Sequence, residues 1–66
     1  MNGIIVRLYR GRGFGFIRRE RDAEEFFFHC ESVRGVDFDE LAEGVAVIFE
    51  ESPSAKGPRA RNVARA

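Results

Sequence analysis

Tryptophan is absent from this 66-residue chain, and cysteine, histidine and methionine occur once each. A lone cysteine, Cys30, closes no internal disulfide, so no covalent staple supports the fold and a reducing, cytoplasmic setting is expected. One histidine and one cysteine fall short of the four ligands of a structural zinc site. The acids Asp37, Asp39, Glu40 and Glu43 lack the spacing and central glycine of an EF-hand loop. Long hydrophobic runs are missing as well. Ile4-Ile5-Val6 is too short for the apolar region of a signal peptide, and nothing approaches the roughly 20 residues of a membrane span, so no membrane role is expected. No N-x-S/T acceptor follows Asn2 or Asn62. Gly11-Arg12-Gly13-Phe14-Gly15 is not a dinucleotide fingerprint, because the third glycine comes one residue early and no βαβ unit follows. The pairs Glu24-Glu25 and Glu50-Glu51 read as solvated faces, and no nucleophile–base pair stands out. No metal, no cofactor and no enzymatic activity is expected.

A chain this short buries only about 60% of the surface its unfolded form exposes. Residues 1–66 therefore read as one domain, expected to be monomeric and of modest stability. Its apolar share of 44% suits a folded globule rather than a disordered tail. Every large apolar residue is needed for the core, so function belongs on a surface.

What the chain does have is phenylalanine, seven of them, concentrated in two short segments. The first is Arg12-Gly13-Phe14-Gly15-Phe16-Ile17 and the second is Phe26-Phe27-Phe28-His29. Alternate side chains of a strand point the same way, so Phe14 and Phe16 share a face, and Phe27 and His29 join it if the segments pair. Gly13 and Gly15 add no side chain to cover the rings, which predicts a flat aromatic platform. Phe26 and Phe28 fall on the opposite face and, with Phe49, are the expected core phenylalanines.

Net charge is zero, but its distribution is not even. Arg7, Arg10, Arg12, Arg18 and Arg19 all precede the first acid, Glu20. All eleven acids lie within residues 20–51, and Lys56, Arg59, Arg61 and Arg65 follow them. If both ends fold near the aromatics, a basic face coexists with an acidic back. A π-surface ringed by cations suits unpaired bases and their phosphates, so single-stranded nucleic acid is the expected ligand. The competing reading is a protein-interaction module that docks a partner on the same aromatic face.

Gly3 to Arg10, Phe14 to Arg19, Glu25 to Cys30, Val45 to Glu51 and Arg59 to Ala64 read as strands, with Gly11-Arg12-Gly13 and Ser52 to Pro58 as turn and loop. In the last strand Ala60, Asn62 and Ala64 are expected inward and Arg59 and Arg61 outward. Asp39 to Glu43 predicts one helical turn, ended by Gly44. No stretch carries the ten-residue helical period that an RRM fold would need. Five short strands predict an all-β fold, a small antiparallel barrel.

At the level of motifs the chain resembles a cold shock domain. That family carries K-G-F-G-F-[IV] on its second strand and V-F-V-H-F on its third. Here they read Arg12-Gly13-Phe14-Gly15-Phe16-Ile17 and Phe26-Phe27-Phe28-His29-Cys30. The similarity continues through Gly35-Val36-Asp37-Phe38, Leu41-Ala42-Glu43-Gly44 and Lys56-Gly57-Pro58-Arg59-Ala60-Arg61-Asn62-Val63. The resemblance implies a five-stranded antiparallel OB-fold barrel that binds single-stranded RNA or DNA as a nucleic-acid chaperone affecting translation or transcription. By motif position Phe14, Phe16, Phe27, His29 and Phe38 match its base-stacking residues, and Arg12 and Lys56 its basic contacts. A low-specificity, pyrimidine-leaning site of several nucleotides is expected.

Two departures matter. Where the family has K-W-F-N this chain has Val6-Arg7-Leu8-Tyr9, so Arg7 replaces the stacking tryptophan. Cys30 replaces the last aromatic of V-F-V-H-F. Arg7 can still stack its planar guanidinium on a base or pair with a phosphate, and it joins the candidate binding residues.

Overall fold

Alternation along Glu25–His29 sends Phe26 and Phe28 to one side and Phe27 to the other, and this sorting organises the computed structural model, which describes residues 1–66. The strands are β1 (Asn2–Tyr9), β2 (Phe14–Arg19), β3 (Glu25–His29), β4 (Ala46–Ser52) and β5 (Arg59–Arg65). They close into a barrel in the order β1-β2-β3-β5-β4. Ile5, Ile17, Phe26, Phe28, Leu41, Val47, Phe49, Ala60 and Val63 fill its interior. Phe26, Phe28 and Phe49 are the core phenylalanines, and Phe26 meets Phe49 at 5.2 Å between ring centroids. No helix is long and apolar enough to cross a membrane.

The barrel is not wholly antiparallel. Four neighbouring pairs run antiparallel, while β3 and β5 meet in parallel at Phe27 and Arg59. Strand direction can alternate all the way round a closed ring only if the number of strands is even. Five strands therefore force one parallel seam.

Strict alternation also fails twice. In β1, Ile5 pairs with Ile17 and Arg7 with Phe16, so Val6 is an extra residue in a bulge. The slip keeps Ile5 and Leu8 toward the core and turns Arg7 and Tyr9 outward. In β5, Asn62 adopts φ 51°, and the inward residues become Ala60 and Val63 rather than Ala60, Asn62 and Ala64.

Between β3 and β4 the chain makes single 3-10 turns at Cys30–Ser32 and Phe38–Glu40. The second begins and ends earlier than the sequence suggests, because Leu41 is fully buried with extended dihedrals and stops it. Gly44, at φ 92°, instead turns the chain into β4, and its N–H donates to the carbonyl of Ile5 at 2.8 Å. Cys30 opens the first turn instead of closing β3.

Candidate nucleic-acid interface

Three cross-strand rows build the outer face of β1, β2 and β3. Tyr9, Phe14 and His29 form one row, and Arg7, Phe16, Phe27 and Arg59 form the next. Arg18 and Glu25 close the face toward the β2–β3 hairpin. The rings make one continuous cluster. Tyr9 stacks on Phe14 at 4.8 Å and 29°, Phe14 lies 5.5 Å from Phe27, and Phe16 meets Phe27 at 5.9 Å in a T-shaped contact. Tyr9 is 42% exposed and the three phenylalanines are half-buried, so solvent reaches an aromatic surface that the core does not use.

Guanidinium groups cover both ends of the central row. The Arg7 Cζ lies 4.9 Å from the Phe16 centroid, and the Arg59 Cζ lies 4.7 Å from that of Phe27. Both separations fall within the range of cation–π attraction. Arg7 also donates to the Glu25 carboxylate in an ion pair. Arg59 lines a recess of about 270 Å³ with Phe27, Lys56, Gly57 and Pro58, which places exposed Lys56 at the margin of the aromatic face.

His29 is held by its own turn. The Glu31 N–H donates to its Nδ1 at 3.1 Å, so in the neutral ring the proton sits on Nε2. That leaves a donor on the ring edge away from the backbone. The Cys30 Sγ lies 3.7 Å from the same Nδ1.

The glycines have a different role from the one the platform argument gave them. Gly15 is buried, and a Cβ there would come within 2.7 Å of the Arg7 carbonyl oxygen and 2.9 Å of the Phe28 ring. It points inward and lets β1 lie close on β2. Gly13 adopts φ 75° to end the turn at Arg10–Arg12, and a Cβ there would sit 3.2 Å from the Cys30 Sγ. The rings are uncovered because they are all on one face, not because glycines flank them.

Two of the five early arginines do not border the rings. Arg19 is 8% exposed and lies over Phe26 in the core, donating to Asp22 at 2.9 and 2.6 Å and to Glu24 at 2.8 Å. Its guanidinium lowers the Asp22 carboxyl from 3.8 to about 2, chiefly through that hydrogen bond. Arg10 donates to the carbonyl oxygens of Asp39 (2.8 Å) and Leu41, tying the end of β1 to the 3-10 turn at Phe38–Glu40. Arg12 is exposed on the turn that leads into β2 and Arg18 is exposed on the hairpin side of Phe16.

Of the residues singled out by sequence, Arg7, Phe14, Phe16, Phe27 and His29 come together on one face. Arg12 and Lys56 stand on neighbouring turns. Phe38 is set apart, half-buried against Phe28 at 6.1 Å, so its ring contact runs to the core. Sequence reading missed Tyr9, Arg59 and Glu25. The β1 bulge hid Tyr9, whereas the outward position of Arg59 in its strand was a usable signal.

The arrangement offers ring faces for stacking, guanidinium and ammonium groups for phosphates, and no enclosed pocket. The family model of the 'Cold-shock' DNA-binding domain matches residues 1–66. The chain is 44% identical over 63 residues to the Cold shock-like protein CspE of Escherichia coli, covering 96% of this chain and 91% of that protein. The same identity and coverage hold for CspE of Buchnera aphidicola from Acyrthosiphon pisum. The Cold shock protein CspV of Vibrio cholerae is 35% identical over 63 residues, covering 96% and 90%.

Proposed function

The chain belongs to the cold-shock DNA-binding domain family, and from that premise we propose that it binds single-stranded RNA or DNA across the outer face of β1, β2 and β3. The observation that carries the reading is the four-ring cluster of Tyr9, Phe14, Phe16 and Phe27 with cations at its margins. Bases stack on the rings, while Arg12, Lys56 and Arg59 meet phosphates. His29 adds a ring beside Phe14 and an Nε2 donor, and Phe38 serves a base beyond the cluster if it swings from its seat on Phe28. Such a surface holds strands unpaired without chemistry, which is the work of a nucleic-acid chaperone rather than an enzyme. Stacking tolerates any base, so specificity is low, with a lean toward pyrimidines and a site on the order of 4–16 nucleotides. The protein acts as a cytoplasmic monomer, without cofactor or metal.

Titration with short oligothymidine, oligouridine and oligodeoxyadenosine strands, followed by protein NMR shifts, tests this. Shifts should concentrate on Tyr9, Phe14, Phe16, Phe27, His29 and their neighbours, with the pyrimidine strands binding more tightly. Shifts confined to other faces, or an affinity indifferent to salt, would favour a protein-docking surface instead.

A further inference from the structure

The two arginines that cover the aromatic row differ in one respect. Arg59 lies over Phe27 with no carboxylate holding it, whereas Arg7 lies over Phe16 and is fastened to Glu25. Glu25 is well placed for this, because it occupies the same outward face of β3 as Phe27, two residues before it and in the row next to the Phe16–Phe27 pair. Both members of the ion pair remain accessible, Arg7 at 49% and Glu25 at 40%, so the pair sits on top of the surface and is not part of the core. A base cannot stack on a ring face that a guanidinium already covers.

We propose that Glu25 is a positioning residue that sets nucleic-acid affinity by latching Arg7 over Phe16, closing one stacking position until a strand displaces it. The proposal rests on the single-strand reading of this face. A ligand whose competent state is only partly populated binds more weakly by that fraction. Exposed ion pairs are weak, so the latch costs a small factor: releasing it should tighten binding about two- to fivefold. Salt acts on the latch in the opposite sense from its action on phosphate contacts. Added salt loosens the Arg7–Glu25 pair while weakening the hold on the strand, so the latched protein loses affinity more gently than an unlatched one. An Arg7 freed from Glu25 gains a phosphate, which steepens the log–log slope by about 0.7.

The test is a double-mutant cycle on oligothymidine binding, read by anisotropy of a labelled strand. Glu25→Gln should tighten binding two- to fivefold in the native background and steepen its salt dependence. In an Arg7→Ala background the same change should have almost no effect, since nothing remains to be released. A carboxylate that acts only by repelling phosphates would give equal gains in both backgrounds. A gain in the Arg7→Ala background at least half as large as in the native one, on a logarithmic scale, overturns the proposal, as does no gain in the native background. Folding of each variant is verified by its amide spectrum. The Arg7 side-chain NMR signals provide a second readout without ligand: slowed guanidinium rotation that Glu25→Gln releases supports the latch, and free rotation in the native protein overturns it. If the native chain binds no single strand at all, the functional reading fails and the proposal with it. If it binds and the gains are equal, the proposal fails alone.

Discussion

Phe27 and Phe28 are neighbours in sequence and opposites in role, and a pair of alanine substitutions separates them. Phe28 is fully buried in the core cluster that also holds Ile17, Phe26 and Leu41, so Phe28→Ala should cost about 3–5 kcal/mol of stability. Phe27 is half-buried on the outer face, so Phe27→Ala should weaken oligothymidine binding by about 1–3 kcal/mol and disturb folding less. Tyr9→Ala belongs with Phe27, because its ring stacks on Phe14 and stays open to water. Chemical denaturation and a binding isotherm for each variant check this, and a Phe27→Ala protein that loses about 3–5 kcal/mol of stability while its strand affinity stays unchanged would refute the assignment of faces. At this scale the sequence was most legible. Period two alone separated Phe26 and Phe28 from Phe27, because a strand leaves no third option. Phe38 was harder, since a residue in a turn has no parity to read, and only the fold shows its ring against Phe28.

Bulges are where sequence pattern and element part company. An extra residue at Val6 changes no composition and breaks no motif, yet it reverses the facing of everything after it in β1 and brings Arg7 and Tyr9 to the rings. The left-handed Asn62 has the same effect in β5. Such slips are set by how neighbouring strands must coil to close the barrel, which local alternation does not encode. The approach of β1 to β2 at the bulge makes Gly15 a test of the pairing. Gly15→Ala places a methyl against the Arg7 carbonyl and the Phe28 ring, and should destabilise by about 1–3 kcal/mol through overpacking. Unchanged denaturation would mean the strands lie further apart. The β2–β3 hairpin carries a different prediction. Asp22 titrates at about 2 in the folded protein against 3.8 ordinarily, because the Arg19 guanidinium holds its charged form. The unfolded chain therefore takes up this proton first. The stabilisation is fully present above the ordinary carboxylate range and is lost as pH falls from about 4 toward 2. Asp22→Asn should lower stability at neutral pH and flatten the loss between those limits, seen as a converging pair of melting curves. Curves that stay parallel down to pH 2 would exclude the Arg19–Asp22 pair as their cause.

A net charge of zero describes the whole molecule poorly, because position and pairing decide which charges a strand of nucleic acid can feel. Arg19 is spent on Asp22 and Glu24, Arg10 on backbone carbonyls, Arg61 faces Glu50 and Arg7 is tied to Glu25. Counting arginines in the sequence overstated the basic rim for this reason: Arg10 and Arg19 are structural, and nothing in their local sequence distinguishes them from Arg12. Arg18 also stands exposed beside Phe16, and the cations proposed to meet phosphates, all outside any ion pair, are Arg12, Lys56 and Arg59. About three phosphate contacts on a single strand predict a log–log salt slope near −2, at roughly −0.7 for each. Arg12→Gln should weaken binding and shallow that slope by about 0.7. Arg61→Gln removes the same formal charge from a site opposite Glu50, so it should leave the slope almost unchanged. The comparison holds net charge equal between the two variants and alters only where it is lost. Affinities measured from low to moderate salt decide the matter. Equal changes from Arg12→Gln and Arg61→Gln would mean the strand responds to total charge alone, and the aromatic face would lose its claim to be where the backbone lies.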